Sequence, residues 1–190
     1  MTEKQIIWIQ KRVGTNPDGD WGPKSRAAAQ AHLAKLAAKA PQNWPKQDEA
    51  SLTAFYGKVG DELQFTNIDV TGLGVKYFGT PVTKIRVHKK CADSLSHIVK
   101  KLSTFEAGRR VLAQYAGVYN NRPMTGNVKK PSVHARAIGI DLMSATNGNS
   151  TPWPTMANMP FRVMEVFAAE GWLCAGVAWW RDAMHFQATQ

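Results

Sequence analysis

Residues 132–143 read SVHARAIGIDLM, and this stretch decides the fold that the sequence predicts. Its second half, residues 137–143, is a short apolar run with the length of a buried β-strand. His134 and Asp141 lie seven residues apart, an odd spacing that would place them on opposite faces of one continuous strand. A turn at residues 135–136 would instead allow the two side chains to converge.

The rest of the chain predicts a mixture of helices and strands around this stretch. Residues 92–107 repeat apolar side chains at helical spacing with a stop at Gly108, and a second helix is bounded by Pro160 and Gly171. Because strands and helices do not alternate regularly, we expect an α+β fold with a small antiparallel sheet and flanking helices. The expected strands are residues 84–90, residues 111–119 and a terminal pair at 177–180 and 184–189, with a polar loop over 120–131.

Composition limits the classes of function. The 190 residues are 44% hydrophobic, which is enough for a folded core. Lys and Arg number 24 against 14 Asp and Glu, and the formal net charge of +10 favours an anionic partner such as nucleic acid, a membrane surface or an acidic wall polymer. No apolar stretch reaches the roughly 18 residues of a membrane span, and no secretory signal is visible. Cys91 and Cys174 are expected to be free, buried thiols.

The N-terminal region has a composition of its own. Residues 25–40 are rich in Ala, basic and strongly helix-forming. The stretch 41–49 contains two prolines and few aliphatic side chains, which indicates a boundary. We therefore expect a short helical module over residues 1–42 and a second domain over residues 43–190.

A turn precedes the Ala-rich helix. Asp18 and Gly19 form the turn, and Trp21 and Gly22 follow it directly before Pro23. This pattern resembles the D-G-x-[FW]-G motif of the peptidoglycan-binding domain found in many wall hydrolases. The resemblance implies that these residues bind the cell wall. The chemistry suits a glycan, because an indole can stack on a sugar face while nearby basic residues attract wall carboxylates.

Three separated residues have the composition of a metal site. Zinc binds imidazole nitrogen and carboxylate oxygen, and a catalytic zinc keeps three protein ligands and one open position. His134, Asp141 and His185 would provide that number of ligands. Asp182 lies three residues before His185, so a bend there would let its carboxylate approach the open position.

The ordered motifs of this second region resemble the M15 family of zinc D,D-peptidases and the phage endolysins related to it. The family signature S-x-H-x-x-G-x-A-x-D is followed later in the chain by W-x-D-x-x-H. The matching residues are Ser132, His134 and Asp141 in the first motif and Trp180, Asp182 and His185 in the second. Ala137 stands where the family has Gly and Gly139 where it has Ala, while the ligand spacing is unchanged. Residues 117–126 resemble the family segment that carries a transition-state arginine, here Arg122.

The resemblance implies a D,D-peptidase or hedgehog-like fold that holds one Zn²⁺ ion. Asp182 would accept a proton from the attacking water and pass it to the leaving amine. Arg122 would stabilise the oxyanion of the tetrahedral intermediate. Ser132 would support the metal ligands, contact the substrate or cap a turn.

A wall-binding module joined to such a peptidase predicts a peptidoglycan hydrolase of the endolysin type, monomeric and with bacterial peptidoglycan as its partner. The expected reaction is cleavage of the stem peptide, at the L-alanyl-D-glutamate bond. The enzyme would be made in the host cytoplasm and reach the wall after the inner membrane is opened. Three alternatives stay open: a D-alanyl-D-alanine carboxypeptidase, a non-catalytic cell-wall binder and a nucleic-acid-binding protein. No known nucleic-acid-binding motif supports the last of these, and no nucleic-acid partner is expected.

Overall fold

Capping residues set the ends of the first helices. Thr2 and Gln5 form a reciprocal capping box at the start of helix α1 (Glu3–Val13), and Gly14 ends the helix with a φ of 78°. Helix α2 (Pro23–Ala37) begins at a proline, which suits the first turn because no N–H is needed there.

The computed structural model describes residues 1–190 and has an α+β architecture. The remaining helices are α3 Glu49–Tyr56, α4 Ala92–Ser103, α5 Glu106–Leu112, α6 Ser144–Asn147, α7 Phe161–Ala169 and α8 Ala175–Ala178. The strands are β1 Phe65–Asp69, β2 Lys76–Tyr77, β3 Thr80–Pro81, β4 Lys84–His88, β5 Tyr115–Gly117, β6 Pro123–Met124, β7 Asn127–Pro131, β8 Gly139–Leu142, β9 Leu173–Cys174 and β10 His185–Gln187. None of the helices combines the length and the apolar character that crossing a membrane requires.

The main sheet has six strands in the order β3-β2-β5-β8-β10-β9. Four of its five neighbouring pairs are antiparallel, as the sequence predicts, and only β2 and β5 run parallel. Parallel neighbours need a crossover connection, and the chain between β2 and β5 provides one through α4 and α5. Two further pairs, β1 with β4 and β6 with β7, lie outside this sheet.

A single cluster of 40 buried apolar residues joins the sheet to the helices. Its members in α4 include Leu95, Ile98 and Leu102, which are the positions that the helical spacing predicts to be buried. Cys91 and Cys174 are free and buried, as expected. Strands β8 and β10 contribute Ile140, Leu142 and Phe186 to the cluster, and Asp141 and His185 of the same strands line a cleft.

The N-terminal helices share this core. Ile6 and Ile9 of α1 and Leu33 of α2 belong to the same cluster as the residues of α7. Trp44, in the proline-containing stretch, is 3% exposed and donates its indole N–H to the carbonyl oxygen of Glu170 at 2.9 Å. The apolar core is therefore continuous across residue 42, where the sequence predicts a boundary between two units.

Residues 92–119 form two helices and one short strand, so the prediction of one helix and one long strand was wrong. Gly108 lies inside α5, and residues 111–112 end that helix. A Cβ atom at position 108 would lie 2.1 Å from the carbonyl oxygen of Leu102. The glycine therefore permits α5 to pack closely against the end of α4, and it does not act as a helix stop.

Two other sequence predictions fail near the site. Residues 175–178 form a short helix instead of a terminal strand, and β10 pairs with β8 and β9. A short apolar run such as VAWW fits a buried helix as well as a strand, so periodicity alone cannot separate them. The polar loop expected over 120–131 is the hairpin β6–β7, whose turn includes Gly126 at a φ of 82°.

Candidate functional site

Two neighbouring inner strands of the main sheet bring two of the three metal-ligand candidates face to face. His185 on β10 lies directly opposite Asp141 on β8 in the antiparallel register. The third candidate, His134, lies in a 3₁₀ turn (Val133–Arg136) that leads into β8. The turn that the sequence predicts at residues 135–136 is present, and it overcomes the odd spacing between His134 and Asp141.

The three side chains converge on one point. Nδ1 of His185 lies 2.8 Å from Oδ1 of Asp141, and Nε2 of His134 lies 3.3 Å from Oδ2. One potential ligand atom from each residue lies within 4.8 Å of the others, so the group could hold a metal ion. The two imidazoles are nearly buried, at 5% and 6% exposure, which limits the freedom of both rings.

Hydrogen bonds on the far side of each ring determine which nitrogen is available. Nδ1 of His134 lies 2.7 Å from the carbonyl oxygen of Val118, and Nε2 of His185 lies 3.0 Å from Oε1 of Gln187. These oxygens can only accept, so the outer nitrogens carry the protons of the neutral rings. The inner nitrogens then direct lone pairs at the Asp141 carboxylate. The lone pairs of the two inner nitrogens and the carboxylate oxygens repel one another unless a cation or additional protons lie between them.

The electrostatics of the triad favour positive charge at this point. Burial opposes the ionisation of Asp141, but where no metal is bound the hydrogen bonds that the inner nitrogens donate when they carry a proton outweigh it and hold the pKa of Asp141 below its ordinary value. For His185, burial alone would lower the pKa, but the hydrogen bond and charge of Asp141 raise it. The same negative charge that retains a proton on His185 would retain a metal cation. The triad thus fits a zinc ion in both donor chemistry and ligand number.

Asp182 lies beside the triad in an unusual environment. Its φ is 58°, in the left-handed region, and its carbonyl oxygen accepts the N–H of His185 at 2.9 Å. Oδ1 is buried and has no hydrogen-bond partner. Burial raises the pKa of this carboxyl group above its ordinary value, and the nearby Asp141 adds to the effect. A buried carboxylate oxygen without a donor fits a group whose partner is a substrate, a water molecule or a cation.

The triad lies where two clefts meet. The larger cleft has a volume of about 660 Å³ and is lined by all three triad residues together with Asp182. The other, of about 430 Å³, extends past His134 and Asp141 towards Tyr77 and Lys84. The two clefts share Arg122, His134 and Asp141 as lining residues, and together they are called the groove below.

Arg122 lines both clefts, next to the triad. Its backbone carbonyl oxygen accepts the N–H of Ser132 at 3.0 Å, which ties the hairpin to the turn that carries His134. Nη1 donates to the carbonyl oxygen of Pro123 at 3.1 Å and to the hydroxyl of Thr125 at 3.3 Å. Nε and Nη2 make no hydrogen bond within the protein and are free for a ligand.

Ser132 caps the turn. It is 5% exposed, and its hydroxyl oxygen accepts the backbone N–H of His134 at 3.2 Å. This is the capping role that the sequence left open beside a substrate contact. Because the residue also borders the larger cleft, capping the turn does not exclude the second role.

Of the two positions that depart from the signature that the sequence resembles, the structure explains the glycine at 139 and not the alanine at 137. Ala137 has a φ of 53°, a left-handed conformation in which glycine would be less strained. At Gly139 a Cβ atom would lie 2.9 Å from Cε1 of His185 and 3.0 Å from Cγ2 of Val133. Glycine is therefore needed at position 139 so that the His185 ring can lie against β8.

Several residues of the site were not predicted from the sequence. Gln187 binds His185 and in turn donates to Thr189, and the ring of Trp179 stacks on His185 with 6.0 Å between centroids and 17° between planes. The position of Gln187 two residues beyond His185 places both on one face of a strand, a signal that could have identified it. The carbonyl oxygen of Val118 has no side-chain signature, so only the fold reveals it.

The wall-binding candidates surround a buried amide. Gln10 is fully buried, donates to Oδ1 of Asp18 at 2.8 Å and accepts the N–H of Gly19 at 2.9 Å. Trp21 is 7% exposed and packs edge-to-face on Trp153. The structure thus gives these residues a role in holding the loop, and the burial of Trp21 leaves no open indole face for a sugar. Gly22, the fourth candidate, is the N-cap of α2.

Comparisons with known proteins add no identification. No family model matches the chain, and no curated protein or solved structure matches it. The geometry of the triad, Asp182 and Arg122 is therefore the basis for the function proposed below.

Proposed function

We propose that the protein is a zinc-dependent peptidase that cleaves the stem peptide of peptidoglycan. The observation that carries the proposal is the convergence of two buried imidazoles and one carboxylate, beside a buried carboxylate that has an unpartnered oxygen. A zinc ion held by His134, Asp141 and His185 would polarise the scissile carbonyl and lower the pKa of a bound water to about 7.

The residues around the triad supply the remaining functions of a peptidase. Asp182, whose pKa burial raises, accepts a proton from the attacking water and then donates it to the leaving amine. Arg122 directs its free Nε and Nη2 donors at the oxyanion that develops on the scissile carbonyl. Gln187 and the carbonyl oxygen of Val118 keep the two imidazoles in place from behind, and Ser132 caps the turn that carries His134.

The shape of the groove favours an endopeptidase over the D-alanyl-D-alanine carboxypeptidase. An endopeptidase must accommodate substrate residues on both sides of the scissile bond, whereas a carboxypeptidase needs little room beyond its last residue. Both clefts border Arg122, His134 and Asp141, so an extended peptide could pass through the site. We propose the L-alanyl-D-glutamate bond as the target, because cleavage there separates the stem peptide from the glycan strand.

The charge of the protein fits this substrate. A net charge of +10 would attract the anionic wall and raise the local concentration of enzyme on it. The proposal extends to an endolysin role for a monomer made in the host cytoplasm, which reaches the wall after the inner membrane opens. The N-terminal helices would contribute wall affinity through their basic surface. A non-catalytic wall binder would keep the same charge but would not need the triad.

Metal analysis and peptidoglycan digestion test the proposal together. We expect about one zinc per chain and loss of the metal in His134→Ala. A chelator should abolish activity while much of the fold remains, because an open three-ligand site contributes less to folding than a closed structural one. Activity is measured as new amino groups released from purified peptidoglycan. If His134→Ala still binds one zinc per chain, His134 is not a zinc ligand. Activity that persists after complete removal of the metal would contradict the proposal of a zinc-dependent peptidase.

A further inference from the structure

We propose that helix α2 and the turn before it position the active-site segment 177–182, in addition to any contact that they make with the wall. The inference rests on the proposed function, because the segment matters for catalysis only if Asp182 does. Arg26, Gln30 and Trp21 are the positioning residues, and none of them borders the groove beside the triad.

The segment that carries Asp182 needs external support. Both Trp180 and Asp182 adopt left-handed backbone conformations, with φ of 59° and 58°. Side chains with a Cβ atom adopt this region only at a cost in free energy, so surrounding contacts must hold them there. A relaxed segment would move the Asp182 carboxylate away from the triad.

Two side chains of α2 contact this segment directly. The guanidinium carbon of Arg26 lies 5.3 Å from the centroid of the Trp180 ring, a cation–π arrangement. Nε2 of Gln30 donates to the carbonyl oxygen of Val177 at 3.2 Å. The two contacts are one helical turn apart on α2, so they hold the segment at two points along the same face.

A third contact reaches the segment through one intermediate residue. Trp21 packs edge-to-face on Trp153 with 5.4 Å between ring centroids. The backbone N–H of Trp153 donates to the carbonyl oxygen of Trp180 at 3.0 Å. The strained residue Trp180 is therefore held from its ring by Arg26 and from its backbone by Trp153.

These contacts differ from the ones that attach the N-terminal helices to the rest of the protein. Arg12 and His32 both bind the carboxylate of Glu165 on α7, at 2.8 and 2.7 Å, away from the triad. Truncating Arg26 or Gln30 leaves that attachment in place. Their loss should consequently loosen the segment without detaching the helices.

Hydrogen exchange on the full-length, zinc-free protein tests the positioning role independently of catalysis. We compare the parent with Arg26→Ala, Gln30→Ala and the double variant, and with Lys24→Ala, an exposed residue of α2 that loses the same charge but has no partner. The expected increase in amide exchange over residues 176–184 is about two- to fivefold for Arg26→Ala and roughly tenfold for the double variant. Amides of α7 and the Lys24→Ala protein should exchange as in the parent. Unchanged exchange of residues 176–184 in the double variant would overturn the proposal.

Kinetics on a small soluble stem peptide at saturating zinc provide the second measurement. The double variant should lose kcat by a similar factor with little change in KM, and Arg26→Lys, which keeps a cation over the ring, should recover part of the loss in the single variant. A kcat equal to that of the parent in the double variant would contradict the positioning role. If the parent itself cleaves nothing, the proposed function fails, while the exchange result still decides whether α2 holds the segment.

Discussion

Replacing Asp182 by Asn separates a proton-transfer role from a structural one. The amide has nearly the volume of the carboxylate, and asparagine tolerates the left-handed backbone at this position better than most residues. Because Oδ1 is buried without a hydrogen-bond donor, the native carboxylate receives little stabilisation from the protein. We therefore expect the variant to fold with a thermal midpoint equal to or above that of the parent.

The rate should fall steeply while zinc stays bound. The amide cannot accept a proton from the attacking water, and general acid–base catalysis contributes about 10²–10⁴-fold, equivalent to roughly 2.7–5.5 kcal/mol in the barrier. The assay is turnover of a defined stem peptide at saturating zinc, with metal content measured on the same samples. Asp93→Asn, the same chemical change at an exposed position on α4, is the control and should retain the parent rate.

Two results would refute this reasoning. A rate for Asp182→Asn within about threefold of the parent would remove Asp182 from proton transfer, since the usual contribution is far larger. A loss that excess zinc restores would show that Asp182 acts only by orienting His185, because such supporting residues typically change metal affinity by about 10–100-fold.

Three further predictions concern the surroundings of the site and the core. Gln187→Ala should weaken zinc binding by about 10–100-fold in a competition assay with a chromophoric chelator, because His185 loses the partner that fixes its ring; unchanged affinity would contradict this. Burial raises the pKa of the Cys91 thiol to about 12 and also raises that of Cys174, so a thiol reagent at pH 8 should modify both only after denaturation; rapid modification of the native protein would show that they are accessible. Burial lowers the pKa of His88, so the unfolded state binds the proton preferentially as the pH falls through about 6.5. The free energy of unfolding of the parent, measured in urea titrations, should therefore exceed that of His88→Gln by less at pH 5 than at pH 7. A difference that grows as the pH falls would refute this assignment.

The candidate site was predictable from the sequence to the extent that local spacing determines it. A polar turn followed by an apolar run predicts a strand with His134 at its entrance, and the structure has that arrangement. The approach of His185 to Asp141 could not be deduced from local spacing, because it depends on the pairing of β8 with β10 over a long separation in sequence. The order of the two histidine-containing motifs in the chain indicated this approach only through the resemblance to a peptidase family.

The failed predictions come from patterns that have more than one physical solution. VAWW is equally compatible with a helix and a strand. The helix that forms here also includes Gly176, where a Cβ atom would lie 2.8 Å from Cβ of Ala183, a contact that no local pattern shows. Gly108 reads as a stop from the sequence but serves a close approach to Leu102. In both cases tertiary packing decided the outcome, and a single sequence does not reveal it.

In the N-terminal region, the sequence shows composition but not burial. Its composition change near residue 42 is visible in the sequence, but its burial is not. Trp21 and Trp44 are core residues. The buried side chain of Gln10 forms hydrogen bonds with Asp18 and Gly19 of the turn. The motif at residues 18–22, which predicts a binding surface, is therefore equally compatible with a buried, hydrogen-bonded turn.

Mass spectrometry of purified peptidoglycan after digestion tests the central claim most directly, because the new N-termini identify the bond that was cut. The account predicts that the zinc-loaded parent releases stem peptides beginning with D-glutamate, and that Asp182→Asn at equal zinc content releases almost none. Release of free D-alanine alone would identify the carboxypeptidase instead. No new N-termini and no released amino acid from the zinc-loaded parent would contradict a peptidase altogether.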